Sequence, residues 1–258
     1  MKKFPALFIG HGSPMNVIAD NSFTKSLHQI GTDLPKPKAI VVVSAHWLTE
    51  GTFAATSNAP QTIYDFSGFP RELYQIKYPA SGSSELAENI IQHLKSVPAQ
   101  PDPEMGFDHG AWTVLHHMFP KADIPTLQIS IDYGKPGDYH LQLGKALSYL
   151  RDEEILVLGS GNIVHNLRAA DFYNKDAVPF DWNIEFDELT KKLIIERRFS
   201  ELANYKLLGN SALYSVPTPD HFYPLLYILG LAGSNENITF PIEGYEHKSI
   251  SMRAVQIG

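Results

Sequence analysis

Lys38-Ala39-Ile40-Val41-Val42-Val43-Ser44-Ala45-His46-Trp47 is the stretch whose reading decides the fold. Residues 40–43 are apolar and β-branched, a composition suited to a strand covered on both faces, as in the parallel sheet of an α/β protein. The run gives way to Ser44-Ala45 and then His46, so an imidazole stands where a buried strand emerges. Residues 6–9 repeat the arrangement: Ala6-Leu7-Phe8-Ile9 passes into Gly10-His11-Gly12-Ser13-Pro14. Ligands of open α/β sheets collect at the carboxyl ends of the strands. Two strands that each end in a histidine therefore point to a metal site.

Working outward, 258 residues with 43% hydrophobic and 19% charged side chains are enough for one sizeable core. No repeat, low-complexity tract or linker interrupts the pattern, so residues 1–258 are expected to form one domain. Its central, mostly parallel mixed sheet would be flanked by helices. A net charge of −7 argues against a nucleic-acid partner, whose phosphates call for a basic face. With no cysteine, disulfides, thiolate metal sites and cysteine nucleophiles are all excluded, and any metal must be held by His, Asp or Glu. Met1-Lys2-Lys3-Phe4-Pro5 imitates the start of a leader, but its apolar run is too short, and no stretch approaches a membrane span. A cytoplasmic enzyme without a membrane partner is the expectation; oligomeric state is not addressed by the sequence.

Further strands are expected over residues 126–131 and 155–158, and an edge hairpin over residues 238–242 and 249–257. Helices are expected over residues 21–30 (closed by Gly31), 83–94, 111–118, 137–150 and 182–199. In the last of these, Ile184, Leu189, Leu193 and Ile194 would face inward. Pro224 belongs in the first turn of another helix, which puts His221 close to that helix N-terminus. Residues 51–82 have no period and are rich in aromatics, and they read as a loop lining a pocket.

Eleven histidines are present. His28, His93, His116, His117, His140 and His247 lie within helices or polar stretches and read as surface or hydrogen-bonded residues. His11, His46, His109, His165 and His221 differ: each follows a buried strand, sits in a glycine-flanked turn or starts a helix. Five such settings on one sheet favour a shared site. Imidazoles without thiolates suit Zn, Fe, Cu or Ni. Gly159-Ser160-Gly161-Asn162-Ile163-Val164 imitates a dinucleotide fingerprint, but Val164 replaces the third glycine; these glycines are expected to turn the chain so that His165 faces the site. Ser13 and Ser44 are expected to orient the histidines beside them.

Gly10-His11-Gly12-Ser13-Pro14, Ser44-Ala45-His46-Trp47, Asp108-His109-Gly110-Ala111-Trp112, Gly159 through Leu167 (GSGNIVHNL) and Thr218-Pro219-Asp220-His221-Phe222-Tyr223-Pro224 occur in this order. Together they resemble the class III extradiol ring-cleaving dioxygenases, in particular the DOPA 4,5-dioxygenase-like branch. The resemblance implies that His11, His46 and His221 hold one divalent metal per chain, Fe(II) or Zn(II). The wider family has a carboxylate in the third position, where this chain has His221. His165 would be the acid/base, and a fourth ligand when substrate is absent; His109 would contact substrate or dioxygen. A catechol such as DOPA would be opened with dioxygen to a muconate semialdehyde. Tyr64, Phe66 and Trp112 could stack on the ring or pack the core, and Lys121, Lys135, Arg168 or Arg253 could meet a substrate carboxylate. Two rival readings use the same residues: a Zn-dependent hydrolase and a non-catalytic binding module.

Overall fold

In the computed structural model, which describes residues 3–94 and 97–258, the quoted stretch forms a strand in which every residue is buried. Met1 and Lys2, at the start of the leader-like stretch, lie outside the described residues. The central sheet contains β1 (Ala6–Gly10), β2 (Ala39–Ser44), β3 (Thr126–Gln128), β4 (Ile155–Gly161), β5 (Ile238–Thr239) and β6 (Val255–Ile257), in the order β3-β2-β4-β1-β6-β5. The first four run parallel; β6 is antiparallel to β1, and β5 to β6. The sheet is thus mixed and mostly parallel, as expected. Residues 238–239 and 255–257 pair antiparallel as anticipated, but the strand expected over residues 249–257 is broken. Ile250–Ser251 pairs instead with Tyr245–Glu246, and β6 lies inside the sheet with only β5 at its edge.

Eight helices accompany the sheet in the described residues: α1 (Ser22–Asp33), α2 (Ser84–His93), α3 (His109–Met118), α4 (Gly137–Ala146), α5 (Asp181–Ile195), α6 (Phe199–Ala203), α7 (Asn210–Ser215) and α8 (Tyr223–Gly230). Successive strand side chains point to opposite faces. Leu7, Ile9, Ile40, Val42, Leu156 and Leu158 pack with α1 and α3, while Ala6, Phe8, Val41, Val43, Ile155 and Val157 pack with α4, α5 and α8. Both faces are covered, which is why these strands are apolar throughout rather than alternating. None of the described helices is long and apolar enough to cross a membrane.

The differences from expectation have physical causes. Helix α1 does not stop at Gly31 but runs to Asp33, because the glycine serves packing: a Cβ there would lie 2.1 Å from the Met118 carbonyl oxygen. The pattern over residues 182–199 divides into α5 and α6, with Arg197 left-handed at φ 57°. Ile184 faces outward, while Asn183, Phe186 and Asp187 turn inward. Asp187 is buried because its carboxylate receives the guanidinium of Arg253, itself 1% exposed and also paired with Glu188 and Glu243. Arg253 is therefore committed to the fold and does not await a substrate carboxylate. The strand expected over residues 126–131 breaks after Gln128, and Ile131–Asp132 pairs instead with Leu48–Thr49. The aperiodic region does contain a strand, Thr52–Ala55, and a helical turn, Arg71–Gln75, but is otherwise loop.

His140 also departs from expectation, being fully buried with Nδ1 3.2 Å from the Tyr227 hydroxyl. Burial pushes its imidazole down from 6.5 to about 4. The unfolded chain consequently takes up this proton first, so the contribution of His140 is intact above pH 6.5 and is lost as pH falls towards 4. Over that window the loss approaches about 3 kcal/mol, at about 1.4 kcal/mol per pH unit. In urea unfolding of metal-free protein, His140→Phe should start less stable at neutral pH yet lose less stability on acidification than the parent. An unchanged slope would contradict this account of His140.

Candidate metal centre

Strand β4 lies between β1 and β2, with Ile9 and Ser44 both opposite Ser160. Adjacent strands are about 4.8 Å apart, so the two histidine-bearing ends are held close on either side of β4. The His11 N–H donates to the Gly161 carbonyl at 2.9 Å and the Ala45 N–H to the Ser160 carbonyl at 2.9 Å, which continues the sheet past its last formal pairs. As a result, the Nε2 atoms of His11 and His46 stand 3.2 Å apart.

His221 arrives from the other direction, immediately before α8, with Pro224 in the first turn as expected. Its carbonyl accepts the Asn162 N–H at 2.9 Å, and a Cβ on Gly161 would lie 2.1 Å from that carbonyl oxygen. Gly159-Ser160-Gly161 is therefore the end of β4 rather than the expected turn, and its glycines admit the chain carrying His221. His165, tied by its N–H to the Ser215 carbonyl, stacks on His221 with ring centres 3.5 Å apart and planes at 9°. His109 opens α3, capped by the buried Asp108. Gly110 lets that helix approach β2, since a Cβ there would meet Ser44 Oγ at 2.6 Å and His46 Cδ2 at 2.8 Å.

All five singled-out histidines meet in one place, while His28, His93 and His247 make their hydrogen bonds or stacking contacts elsewhere. Ser44 donates to Asp108 Oδ1 at 2.6 Å and receives the His46 N–H at 3.3 Å, so it positions His46 through the backbone. Ser13 instead caps its own short helical turn by accepting the Met15 N–H at 3.3 Å. The side chain that holds the His11 ring is Ser160, which was not anticipated because its partners are remote in sequence. Asp65 and Asp220 were likewise missed as partners of His109 and His221. Asp65 is the sole carboxylate amid the aromatics of Ile63-Tyr64-Asp65-Phe66, an oddity of sequence that could have marked it.

Hydrogen bonding fixes where the protons sit. Ser160 has one hydroxyl hydrogen and gives it to the Gly110 carbonyl at 2.5 Å. It must therefore accept from His11 Nδ1–H at 2.9 Å, leaving His11 Nε2 with a bare lone pair. Asp220 faces His221 Nδ1 at 2.5 Å and Asp65 faces His109 Nδ1 at 2.8 Å, and carboxylates only accept. Each of those rings thus carries a hydrogen on Nδ1, and in His221, held neutral, Nε2 keeps its lone pair. Burial, reinforced by the neighbouring imidazoles, pushes His11 and His221 well below 6.5; burial takes His46 to about 3 and His165 to about 4. Neutral imidazoles with inward lone pairs are the donor set a divalent cation requires.

Ring spacing tests the fit. A metal–nitrogen bond of about 2.1 Å puts each ring centre about 3.2 Å from the ion, so ligating rings should be about 4.5 Å apart at right angles and about 5.2 Å apart in a tetrahedron. The His11–His46, His11–His221 and His46–His221 centres are separated by 5.1, 5.3 and 4.9 Å. His109 also has a nitrogen within 4.8 Å of ligand atoms on His11 and His46. Its ring centre, however, is only 3.9 Å from that of His46, too close for both to bind one ion at ordinary angles. The same crowding applies to His165 against His221 at 3.5 Å.

An α/β sheet with convergent imidazoles at its strand ends and a candidate site for one cation defines the class of a metal-assisted enzyme. The profile described as "Catalytic LigB subunit of aromatic ring-opening dioxygenase" matches residues 5–255. The chain is 48% identical to the 4,5-DOPA dioxygenase extradiol of Escherichia coli K12, over 99% of this chain and 95% of that one. Identity to the Beta vulgaris protein of the same name is 39%, covering 88% of this chain and 87% of that one. A crystal structure of an uncharacterized protein from Escherichia coli K12 superposes with a TM-score of 0.87 at 45% identity, covering 99% of this chain and 100% of that one. The chain belongs to the LigB family of aromatic ring-opening dioxygenases and is an oxidoreductase of the extradiol type.

Gly161→Ala provides a direct test of how the site is built. A methyl group 2.1 Å from the His221 carbonyl has backbone, not a flexible side chain, to displace. Overpacking of this kind costs about 1–3 kcal/mol, and the displacement should carry His221 away from His11 and His46. Both melting temperature and Zn(II) affinity should fall; native Zn(II) affinity in the variant would contradict the arrangement.

Proposed function

We propose that the chain, acting as one catalytic domain over residues 1–258, opens a catechol such as DOPA with dioxygen to give a muconate semialdehyde. His11, His46 and His221 would hold one divalent cation, Fe(II) for turnover, with Zn(II) able to occupy the same nitrogens. The observation that carries this reading is the set of three ring separations near 5 Å, with His165 and His109 left over beside it. When bound, the cation would supply Lewis acidity that lowers the catechol hydroxyl pKa and, as Fe(II), a path by which electron density from the catechol reaches dioxygen.

The protein supplies the rest. His165 is neutral at pH 7 and accepts a phenolic proton at a ring nitrogen, then returns it as the ring opens. Its stacking against His221 supports a place for it beside bound substrate rather than on the cation. His109, its Nδ1 engaged by Asp65, has Nε2 left to hydrogen-bond the substrate or dioxygen. Phe66, with its ring centre 5.5 Å from that of His109, helps to keep water out on this side. Trp112 is fully buried and supports that wall from beneath.

Of the two rivals, hydrolysis and simple binding are both disfavoured by the relatives named dioxygenase. Protein loaded anaerobically with Fe(II) should consume oxygen when a catechol is added, with growth of a yellow ring-opened product; Zn(II)-loaded protein should not. His165→Gln should keep its metal content and lose about 10²- to 10⁴-fold in kcat. Full turnover in that variant would remove His165 from the acid/base role.

A further inference from the structure

We propose that Asp65 is a positioning residue: its single carboxylate sets which nitrogen of the His109 ring carries a hydrogen, stands beside His46, and clasps the aromatic loop to both. Oδ1 accepts the His109 backbone N–H at 2.8 Å and Oδ2 faces His109 Nδ1 at 2.8 Å. The same Oδ2 lies 3.4 Å from His46 Nδ1. This end of α3 has unsatisfied N–H groups and the positive end of the helix dipole, both of which favour an anion.

A carboxylate offers no hydrogen, so each ring nitrogen facing it carries one. His109 thereby holds a hydrogen on Nδ1 and turns Nε2 towards the substrate side, and the carboxylate 3.4 Å from His46 Nδ1 favours the same arrangement there, with Nε2 free for the cation. Hydrogen-bonded carboxylates behind ligating histidines fix ring orientation and raise basicity, and their loss costs about 10- to 100-fold in metal affinity or activity. Asp65 also differs from Asp220 in location. It is carried by the loop that supplies Tyr64 and Phe66, whose rings are 6.1 and 6.2 Å from Trp112. One side chain thus links the aromatic loop to the imidazoles it packs beside.

Asp65→Asn isolates the proton-setting role, because the amide has the same shape but only one acceptor. The His109 backbone N–H must take that oxygen, leaving an NH₂ donor opposite His109 Nδ1 and forcing its proton to Nε2. Histidine ¹⁵N NMR of metal-free protein, with His109 assigned by its absence in His109→Gln, reads this directly. The parent should show Nδ1–H at His109 and the variant Nε2–H. Zn(II) titrated calorimetrically should bind about 10- to 100-fold more weakly to the variant. With Fe(II) and a catechol, kcat should fall by a similar factor while KM moves far less.

A parent His109 protonated at Nε2 overturns the proposal and requires no variant. So does a variant with unchanged tautomers and Zn(II) affinity within twofold of the parent. The assignment rests on the catechol reading only through the kinetic measurement. If the tautomers switch but neither protein cleaves a catechol, the dioxygenase reading fails and the role of Asp65 stands.

Discussion

The Ser160 hydroxyl joins the parts of the site. It lies on β4 opposite both Ile9 of β1 and Ser44 of β2, donates to the Gly110 carbonyl in α3, and accepts from the ring of His11. Two strands and a helix are thereby brought to one buried oxygen. The direction of its single hydrogen decides which nitrogen of His11 faces inward. Because Ser160 is fully buried, no water competes for these bonds, and each is stronger for the low local dielectric.

The histidines themselves carry a cost that this framework must offset. Five imidazoles in contact cannot all be charged, and burial holds those at 11, 46, 165 and 221 neutral. Neutrality in turn makes them good ligands. Three carboxyl groups stand behind them: Asp108 caps α3, Asp65 faces His109 and His46, and Asp220 faces His221. Burial raises Asp108, whose Oδ1 nevertheless accepts from both Ser44 and Ala111. The negative charge of Asp65 and Asp220 thus stands behind the rings rather than among the converging nitrogens, which remain uncharged.

The family relationship gives this arrangement its chemistry, since the relatives named dioxygenase span nearly the whole chain. Within that frame, the ring separations discriminate between histidines that their sequence contexts do not separate. His109 and His221 each follow an aspartate and each lie at the start of a helix. His109 has a nitrogen within 4.8 Å of those of His11 and His46, but its ring is crowded against that of His46. The His221 ring stands at 5.3 and 4.9 Å from those of His11 and His46, and one of its nitrogens groups with ligand atoms of His165 and Asp220.

The sequence by itself determined the buried strands at residues 6–9, 40–43 and 155–158, because a run of apolar residues has few other places to go. It also determined which five histidines differ from the remaining six, because each sits beside a strand end, a glycine turn or a helix start. It misjudged His140, whose partner Tyr227 is 87 positions away and whose helical setting does not reveal burial on the α4–α8 side. It misplaced the ends of α1 and β4 because Gly31 and Gly159 look like breaks; they are instead points where another segment passes within van der Waals contact. Only the tertiary structure decided that Ser160, Asp65 and Asp220 hold the rings, and in which protonation state. Apart from Asp220 beside His221, these are partnerships between residues dozens of positions apart. Hydrogen bonds of that kind leave no periodicity in a sequence, since their geometry exists only after the sheet and helices have packed.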